Sequence, residues 1–384
     1  MSSPAPTSHS FGAGRPFSLG VEEELLVVDA VDLGLDSAEP VFQAGRRWPV
    51  GQVHREQSKT MLELVTPICE RAADVHGVLK LLRDDLTRAG TTLLGAGLHP
   101  AGAFGDYRPS RAPRHADNDA SLRGLLRRTP HCGVHVHVGM PDPEIAVQAC
   151  NGMRKWIPML QGLAANSPFW HGQDSGLASA RQALIRSLPR TGVPRPFSSY
   201  EDYTTTVDDL LESGELPDYG TLWWELRLHP RLGTLEVRAP DAQSSLRDLT
   251  GIVALVHCLV VLEATRAAAT AGPGPEALDE CCFRAMRDGL GARLFFEGRQ
   301  RPLPELVFAA LAAVAPVAEW LGCVAELDEV RRVLREGNGA ARQRAAYAAG
   351  GLPGVVSMLH RETHGEPDVA ETLSGAEERS HAIA

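Results

Sequence analysis

The fold class is decided by residues 223–238, which read WWELRLHPRLGTLEVR. Apolar and polar residues alternate on both sides of Gly233, a pattern that predicts two strands, 223–228 and 235–238, joined by a turn at that glycine. Strands joined by so short a connection pair in the antiparallel sense. The stretch therefore predicts an antiparallel hairpin.

The hairpin carries two acid–base pairs. Glu225 precedes Arg227 by two positions and Glu236 precedes Arg238 by two, so each pair shares one strand face. Guanidinium groups bind carboxylates and phosphates in bidentate fashion, which makes these arginines candidates for anion binding. The alternative is that each arginine only neutralises its own glutamate. Either way, the charged face must be satisfied by ligand, metal or mutual pairing.

Alternation and helical periodicity extend along the rest of the chain. Strands are predicted at 17–28, 59–65, 91–98 and 134–138, and helices at 72–88, 143–163, 245–269 and 306–334, the last with a break near Pro316. Strands and helices alternate without regular glycine-rich phosphate turns. This favours an α+β fold with a curved, mostly antiparallel sheet over a doubly wound parallel sheet.

The domain organisation follows from length and local composition. The 384 residues are enough for one large domain or two ordinary ones. Residues 1–15 and 365–384 are rich in small, polar and charged residues, which predicts a disordered N-terminus and a flexible C-terminal tail. No repeat or clear linker interrupts residues 16–364, so these are predicted to form a single domain.

The overall composition limits the classes of partner. A net charge of −10 argues against nucleic acid as the main partner, which requires a basic face. The seven cysteines include no CxxC pair and fit scattered thiols in a reducing compartment. No signal peptide is visible, and the apolar stretch 252–269 contains charged residues, so we interpret it as a buried helix. The sequence thus predicts a cytoplasmic protein without a membrane span.

A run of three glutamates, Glu22, Glu23 and Glu24, lies in the first predicted strand. Alternation places Glu22 and Glu24 on one face and Glu23 on the other. Two neighbouring carboxylates on a buried face repel each other and lose hydration, so they need a cation or a proton. Magnesium is the usual cation for oxygen ligands. A solvated acidic strand edge is the alternative.

Two further acids, Glu56 and Glu63, stand seven residues apart. Glu63 lies within an apolar strand, where a carboxylate is costly unless it is paired. Glu56 lies in the loop that enters this strand. A structural ion pair for Glu63 and a solvated position for Glu56 are the alternatives to a metal site.

Two histidines alternate with valines in CGVHVHVG, residues 132–139. His135 and His137 therefore share one strand face, where neutral imidazoles can bind metal. A polar sheet face without ligand chemistry is the alternative. No third histidine or cysteine stands nearby, which weakens a zinc assignment.

Several common nucleotide and catalytic motifs are missing from the sequence. It contains no P-loop, no complete dinucleotide fingerprint and no GxSxG elbow. What is left is one charged sheet face, whose composition suits divalent metals held against phosphates. That face carries Glu22, Glu24, Glu56, Glu63, His135, Glu236, Arg227 and Arg238.

Seven segments make the sequence similar to the type 2 glutamate–cysteine ligase family, often called carboxylate–amine ligases. They are LGVEEELLVVD from Leu19, LELVTPIC from Leu62, CGVHVHVGMPD from Cys132, ANSPFWHGQDSGLASAR from Ala165, PRTGVPRPF from Pro189, WWELRLHPRLGTLEVRAPDAQ from Trp223 and RQRAAY from Arg342. The resemblance runs from about Phe17 to about Leu359. A minor departure is Leu228, where the family often has proline.

The resemblance implies a glutamine-synthetase-like core, with a funnel-shaped sheet and helices packed outside it. Residues 16–364 would then be one catalytic ligase domain. The implied reaction is ATP-dependent amide formation through an acyl phosphate, with Mg²⁺, or Mn²⁺ in its place. The implied partners are a small acid and a small amine, with L-glutamate and L-cysteine as the suspected pair, and a homodimer is a possible assembly.

The resemblance also implies roles for individual residues. Arg238 matches an arginine near the transferred phosphate, and Arg227 is a further candidate for substrate or phosphate binding. The loop-rich stretch 166–203 is a candidate cover for the site, with an ordinary surface loop as the alternative. The implied metal ligands are Glu22, Glu24, Glu56, Glu63, His135 and Glu236.

Two other functions remain open at this point. One is a relative that kept metal or nucleotide binding and lost catalysis. The other is a phosphotransferase of the same superfamily that acts on another substrate. ADP release that requires both an acid and an amine would separate the ligase from both.

Overall fold

The computed structural model describes residues 9–110, 113–267 and 272–365. Of the ends predicted to be loose, residues 1–8 and 366–384 lie outside the described residues. Residues 9–15 lie against the sheet: the Ser10 amide donates to the Pro230 carbonyl at 2.8 Å, and Phe11 is buried. The prediction of a disordered N-terminus therefore does not apply to residues 9–15.

The strands and helices are numbered in chain order. The strands are β1 Leu19–Val28, β2 Gln52–Arg55, β3 Met61–Val65, β4 Thr92–Leu94, β5 Val134–Gly139, β6 Phe169–Trp170, β7 Gln173–Asp174, β8 Leu226–His229, β9 Thr234–Val237, β10 Arg293–Phe296 and β11 Arg299–Pro302. The α-helices are α1 Glu39–Gln43, α2 Ala72–Arg88, α3 Pro113–Leu122, α4 Pro143–Met153, α5 Ile157–Leu163, α6 Ala180–Ile185, α7 Tyr200–Ser213, α8 Leu246–Thr265, α9 Pro275–Asp288, α10 Leu303–Leu321, α11 Val324–Glu336 and α12 Gly339–His364.

The main sheet has seven strands in the order β2-β3-β1-β5-β9-β8, with β4 also paired to β1. Every strand pair in it is antiparallel. The α+β class with an antiparallel sheet is confirmed, whereas the funnel shape stays a prediction. The predicted hairpin is present as β8 and β9, and its turn at Gly233 has φ +66°, which favours glycine.

One face of the sheet is covered by helices. Valines and leucines of β1, β5, β8 and β9 point into the main hydrophobic core on this side. The central helix of the layer is α8, which contacts α2, α4, α10 and α11 as well as β5. The charged residues that alternate with these apolar ones therefore lie on the opposite sheet face.

Two helices, α8 and α10, are long and apolar enough to cross a membrane by length and composition alone. However, 89% of the 18-residue apolar stretch of α8 is buried inside the protein, whereas only 39% of the corresponding stretch of α10 is buried. Burial of this kind is what a core helix shows, as expected for the apolar stretch that begins at Ile252. Of the predicted helix 245–269, residues 268–269 lie outside the described part of the chain.

The predicted helix break near Pro316 is wrong. Pro316 lies inside α10, and the break comes at Gly322, whose φ of +65° ends the helix in the left-handed conformation. An internal proline removes a helix hydrogen bond, but α10 packs along α8 and stays continuous. The predicted helix 143–163 is in fact α4 and α5, joined by a 3₁₀ turn at Arg154–Trp156.

Candidate functional site

The register of the sheet gathers the charged residues on its uncovered face. Successive residues of a strand point to opposite faces, so residues directly across from each other in neighbouring strands share a face. The cross-strand pairs on this face are Glu22 with His135, Glu24 with Glu63, and Glu236 with both His137 and Arg227. Five strands, β1, β3, β5, β8 and β9, thus contribute to one polar surface.

A cavity of about 630 Å³ lies over this surface. Seven of the eight site residues predicted from the sequence line it, namely Glu22, Glu24, Glu56, Glu63, His135, Arg227 and Arg238. The eighth, Glu236, is fully buried and lies beneath the cavity wall, in contact with Arg227 and Arg238. Acids outnumber arginines among the lining residues, so the cavity favours cations.

Among the described residues, three groups of side chains could each hold a metal ion, since the ligand atoms within each group lie within 4.8 Å of one another. The groups are Glu22, Glu63 and His135; Glu22, His137 and Glu236; and Glu24, Glu56 and Glu63. All six predicted ligands belong to these groups, and His137 joins them. Their role as ligands stays a prediction. The donors are mostly carboxylates, the set that magnesium and manganese prefer.

His135 of β5 lies beside both cavity-facing acids of β1. Its Nδ1 is 2.9 Å from Glu22 Oε2, and its Nε2 is 3.8 Å from Glu24 Oε1. Burial, together with the charge of Arg238, lowers the pKa of His135 to about 4. The ring is therefore neutral at physiological pH, which is the form that binds metals.

His137, which sequence analysis did not include among the ligands, has an unsatisfied atom. Its Nε2 is buried and has no hydrogen-bond partner within the described part of the chain. This nitrogen is 3.4 Å from Glu22 Oε1 and 3.7 Å from Glu236 Oε1, and its Nδ1 is 3.1 Å from Thr234 Oγ1. A buried nitrogen that faces two carboxylates fits a cation placed between them. Burial lowers the pKa of His137, but Glu236 and Glu22 outweigh this and raise it.

The carboxylates of the site differ in how far they are compensated. Burial and the nearby charge of Glu56 raise the pKa of Glu24 to about 8. For Glu22, burial raises the pKa, but the nearby imidazoles of His135 and His137 outweigh this effect and hold the pKa well below its usual range. Glu24 therefore lacks the positive charge that a divalent cation would supply.

The two predicted arginines are held differently. Arg227 Nε donates to Glu236 Oε2 at 2.8 Å, and its Nη1 donates to the carbonyls of Gly220 at 3.2 Å and Leu222 at 3.1 Å. Most of its donors are thus used inside the protein, in agreement with the alternative of internal pairing, and a substrate-binding role stays a prediction. Arg238 contacts Glu236 and His135 through Nη1, which leaves its other donors for an anion in the cavity.

Part of the cavity wall consists of residues that were not among the predicted site residues. Arg181 lines the cavity, is buried, and pairs with Asp241 at 3.4 Å. Ile185 and Leu188 add an apolar surface beside it. All three lining residues fall within the stretch 166–203 that was predicted to cover the site. The stretch therefore forms part of the cavity wall, and its opening or closing stays a prediction.

Two solved structures of similar fold are those of ligases. A glutamate–cysteine ligase from Francisella tularensis, in complex with AMP, superposes with a TM-score of 0.65 at 11% identity, covering 93% of this chain and 91% of that one. A bifunctional glutathione synthetase from Pasteurella multocida superposes with a TM-score of 0.63 at 15% identity, covering 91% of this chain and 52% of that one. At this level of identity the likeness concerns the fold.

Sequence comparison gives the family. Residues 18–369 match the model of glutamate–cysteine ligase family 2, and the chain therefore belongs to this family. A relative from Rubrobacter xylanophilus, named provisionally as glutamate–cysteine ligase 2-3, is 37% identical over 92% of this chain and 99% of its own. Another relative, from Gloeobacter violaceus and named provisionally as glutamate–cysteine ligase 2, is 34% identical over 86% of this chain and 92% of its own. Family membership supports a ligase.

Proposed function

We propose that the protein is an ATP-dependent ligase that joins a carboxylic acid to an amine through an acyl phosphate. The observation that carries the proposal is the convergence of three carboxylate-rich groups and Arg238 on one cavity of about 630 Å³. Membership of glutamate–cysteine ligase family 2 supports this reaction class.

The donor set fits divalent magnesium, with manganese as a substitute. The residues that would hold it are those of the three groups: Glu22, Glu24, Glu56, Glu63, His135, His137 and Glu236. When bound there, the metal would neutralise phosphate charge and polarise phosphoryl oxygens. The raised pKa of Glu24 and the unpartnered Nε2 of His137 support a cation in this position.

The chemistry has two steps. In the first, a carboxylate oxygen of the acid attacks the γ-phosphorus of ATP; the new O–P bond forms, the bond to the bridging oxygen breaks, and ADP leaves. Arg238 would face the transferred group and stabilise its spread negative charge. In the second, the amine nitrogen attacks the acyl carbon, the C–N bond forms, and phosphate leaves with the electron pair of the broken C–O bond. An amine that enters as ammonium loses two protons in all, one of which passes to the released phosphate and the other to solvent.

The cavity wall has a protective part in this proposal. An acyl phosphate hydrolyses if water reaches it, so the site must exclude solvent during the reaction. Ile185 and Leu188 of the stretch 166–203 provide apolar wall at the cavity. We propose that this stretch limits water access.

The names of the relatives support L-glutamate and L-cysteine as the first pair to test. The AMP in the Francisella ligase supports a nucleotide as co-substrate on this fold. We also propose that the protein acts in the cytoplasm, on small molecules alone.

The deciding experiment is an ADP-release screen of paired acids and amines in the presence of Mg²⁺ and ATP. We expect ADP release that requires both an acid and an amine. Tight nucleotide binding without turnover would instead support a catalytically degenerate relative, and ADP release with a single acceptor a phosphotransferase. Glu63→Gln is the expected inactive variant, and Glu212→Gln, at an exposed position of α7, is the matched control.

A further inference from the structure

The segment that precedes β8 forms an additional wall of the cavity. The Trp223 amide donates to the Arg190 carbonyl and the Glu225 amide to the Gly192 carbonyl, both at 2.9 Å. Trp223 and Glu225 line the cavity, whereas Trp224 between them packs in the core. The segment therefore continues the alternation of the strand and presents Glu225 to the same space as the sheet face.

Glu225 is a buried acid without a partner. Its exposed fraction is 4%, and within the described ranges no side chain forms a hydrogen bond or ion pair with its carboxylate. Burial raises its pKa, although nearby arginines oppose the effect. A buried carboxylate is costly unless a cation or donor satisfies it, so this position calls for a ligand.

The arginines close to Glu225 do not supply that partner. Each of them is engaged by a different carboxylate. The pairs are Arg181 with Asp241 at 3.4 Å, Arg238 with Glu236, and Arg186 with Asp279. Their charges are matched elsewhere, which leaves the Glu225 carboxylate to attract a cation that enters the cavity.

An apolar surface accompanies this carboxylate. Trp223, Leu126, Ile185 and Leu188 line the same cavity. Trp223 and Leu188 pack on a small hydrophobic cluster that includes Leu126. This surface differs from the carboxylate-rich sheet face, and it can bury the apolar part of a ligand.

We propose that Glu225 binds the ammonium group of the amine substrate and that Trp223, with Leu126, Ile185 and Leu188, binds an apolar group of the same molecule. The inference rests on the proposed ligase function for the reaction in which this amine is used. An ammonium donates charge-assisted hydrogen bonds to a carboxylate, and its apolar substituent gains from burial against the indole and the leucines. The substrate class is therefore a primary amine with an apolar or aromatic group.

Steady-state kinetics test the ammonium contact. With phenethylamine and isoamylamine as probes, Glu225→Gln should raise the amine KM by about 10- to 100-fold, as expected for loss of one charge-assisted contact. The KM values for ATP and for the acid should change by less than about twofold. Glu225→Asp keeps the charge and should recover part of the loss. Glu212→Gln is the control, and thermal melts check that each variant is folded.

A second variant tests the apolar contact. Trp223→Ala should reduce kcat/KM for phenethylamine by about tenfold relative to ethanolamine, because it removes the largest apolar group of the wall. Trp223→Phe should retain most of the preference. An enzyme that prefers ethanolamine or an acidic amine such as L-aspartate over both apolar probes would overturn this part.

Failure of this inference can be distinguished from failure of the proposed function. If wild-type turnover requires an amine while Glu225→Gln keeps the wild-type amine KM, the assignment of Glu225 is overturned and the ligase stands. If no amine supports ADP release, the ligase proposal fails. Calorimetric titration of phenethylamine into wild type and Glu225→Gln then still tests the site, and equal affinity for both proteins would overturn it.

Discussion

The three consecutive glutamates of β1 have different surroundings, because Glu23 lies on one face of the strand and Glu22 and Glu24 lie on the other. Glu23 points into the helix layer and is fully buried, where Arg83 of α2 pairs with it; Arg83 Nε is 3.2 Å from Glu23 Oε2. Arg83 also donates to the carbonyls of Gln243, Ser244 and Thr363 at 2.9–3.1 Å. Both charges are therefore satisfied inside the protein, and this pair joins β1 to α2 and to segments near α8 and α12.

Glu22 and Glu24 face the cavity and lack such an arrangement. Glu22 has two histidines as partners, and Glu24 receives the Gly133 amide while two further acids, Glu56 and Glu63, stand close by. Glu22 is thus compensated by the histidines, whereas Glu24 is left among acids, where a bound cation would compensate its charge. Glu23 and Glu24 are both buried, so the difference between these two lies in their partners.

The largest expected effect is on the structural side of this comparison. Glu23→Gln should lower the free energy of unfolding by about 3–5 kcal/mol, because it leaves the buried charge of Arg83 unpaired. Urea unfolding of the metal-free protein measures the change. Glu24→Gln is the matched variant and should stay within about 1 kcal/mol of wild type, because the pKa of Glu24 is already raised to about 8. Equal losses in the two variants would contradict the comparison.

Substitution of the acids on the cavity face should reduce activity. Glu63→Gln and Glu236→Gln should each reduce ADP release at least ~100-fold, as expected when a main electrostatic stabiliser is removed. Glu63→Gln is the cleaner test, because Glu236 also anchors Arg227 and Arg238. Steady-state assays at saturating magnesium, together with thermal melts, measure both properties. Near-normal turnover by either variant would show that the substituted glutamate is not a metal ligand.

Arg238 tests whether the cavity face acts on the transition state. Arg238→Ala and Arg238→Lys should both lower kcat by roughly 10- to 100-fold with little change in the ATP KM, since the lysine keeps the charge and loses the planar fork. If Arg238 only pairs with Glu236, the alanine variant should lose thermal stability and the lysine variant should restore both stability and activity. An active Arg238→Lys enzyme would therefore show that Arg238 only pairs with a glutamate, as Arg83 does.

The smallest expected effect on stability comes from binding of the metal ion. At a Mg²⁺ concentration tenfold above Kd, the wild type should gain about 1.4 kcal/mol of stability, as binding to the folded state alone requires. Chelation by EDTA should reverse the gain and abolish turnover. Glu24→Gln should gain less at the same concentration, and Glu212→Gln the same as wild type. Stoichiometric zinc that resists EDTA, with His135 and His137 as ligands, would show that the magnesium assignment is wrong.

The alternation of side chains made much of the site predictable. Glu22, Glu24, Glu63, His135 and Glu236 were found because each stands at a polar position within an apolar strand. The structure brings them onto one face. The same pattern suggested His137, but alternation cannot tell a ligand from a polar neighbour. Its unpartnered Nε2 is visible only in the folded protein.

Other features could not be predicted from local pattern. Arg181 and Leu188 reach the cavity from a loop-rich stretch without clear periodicity, so no local signal pointed to them. The end of α10 at Gly322 instead of Pro316 depends on packing against α8, which compensates for the hydrogen bond that the proline lacks.

The sequence by itself determined the α+β class, the antiparallel hairpin at 223–238, the family and the set of acids and histidines that face one side of the sheet. The family follows from the seven matching segments, and the other features depend on periods of two and 3.6 residues, which are local properties of the chain. Only the tertiary structure decided which buried charges are paired. Glu23 pairs with Arg83 sixty residues away, and the Glu225 carboxylate has no hydrogen-bond or ion-pair partner among the described residues, because contacts between distant segments are set by the packing of the whole domain.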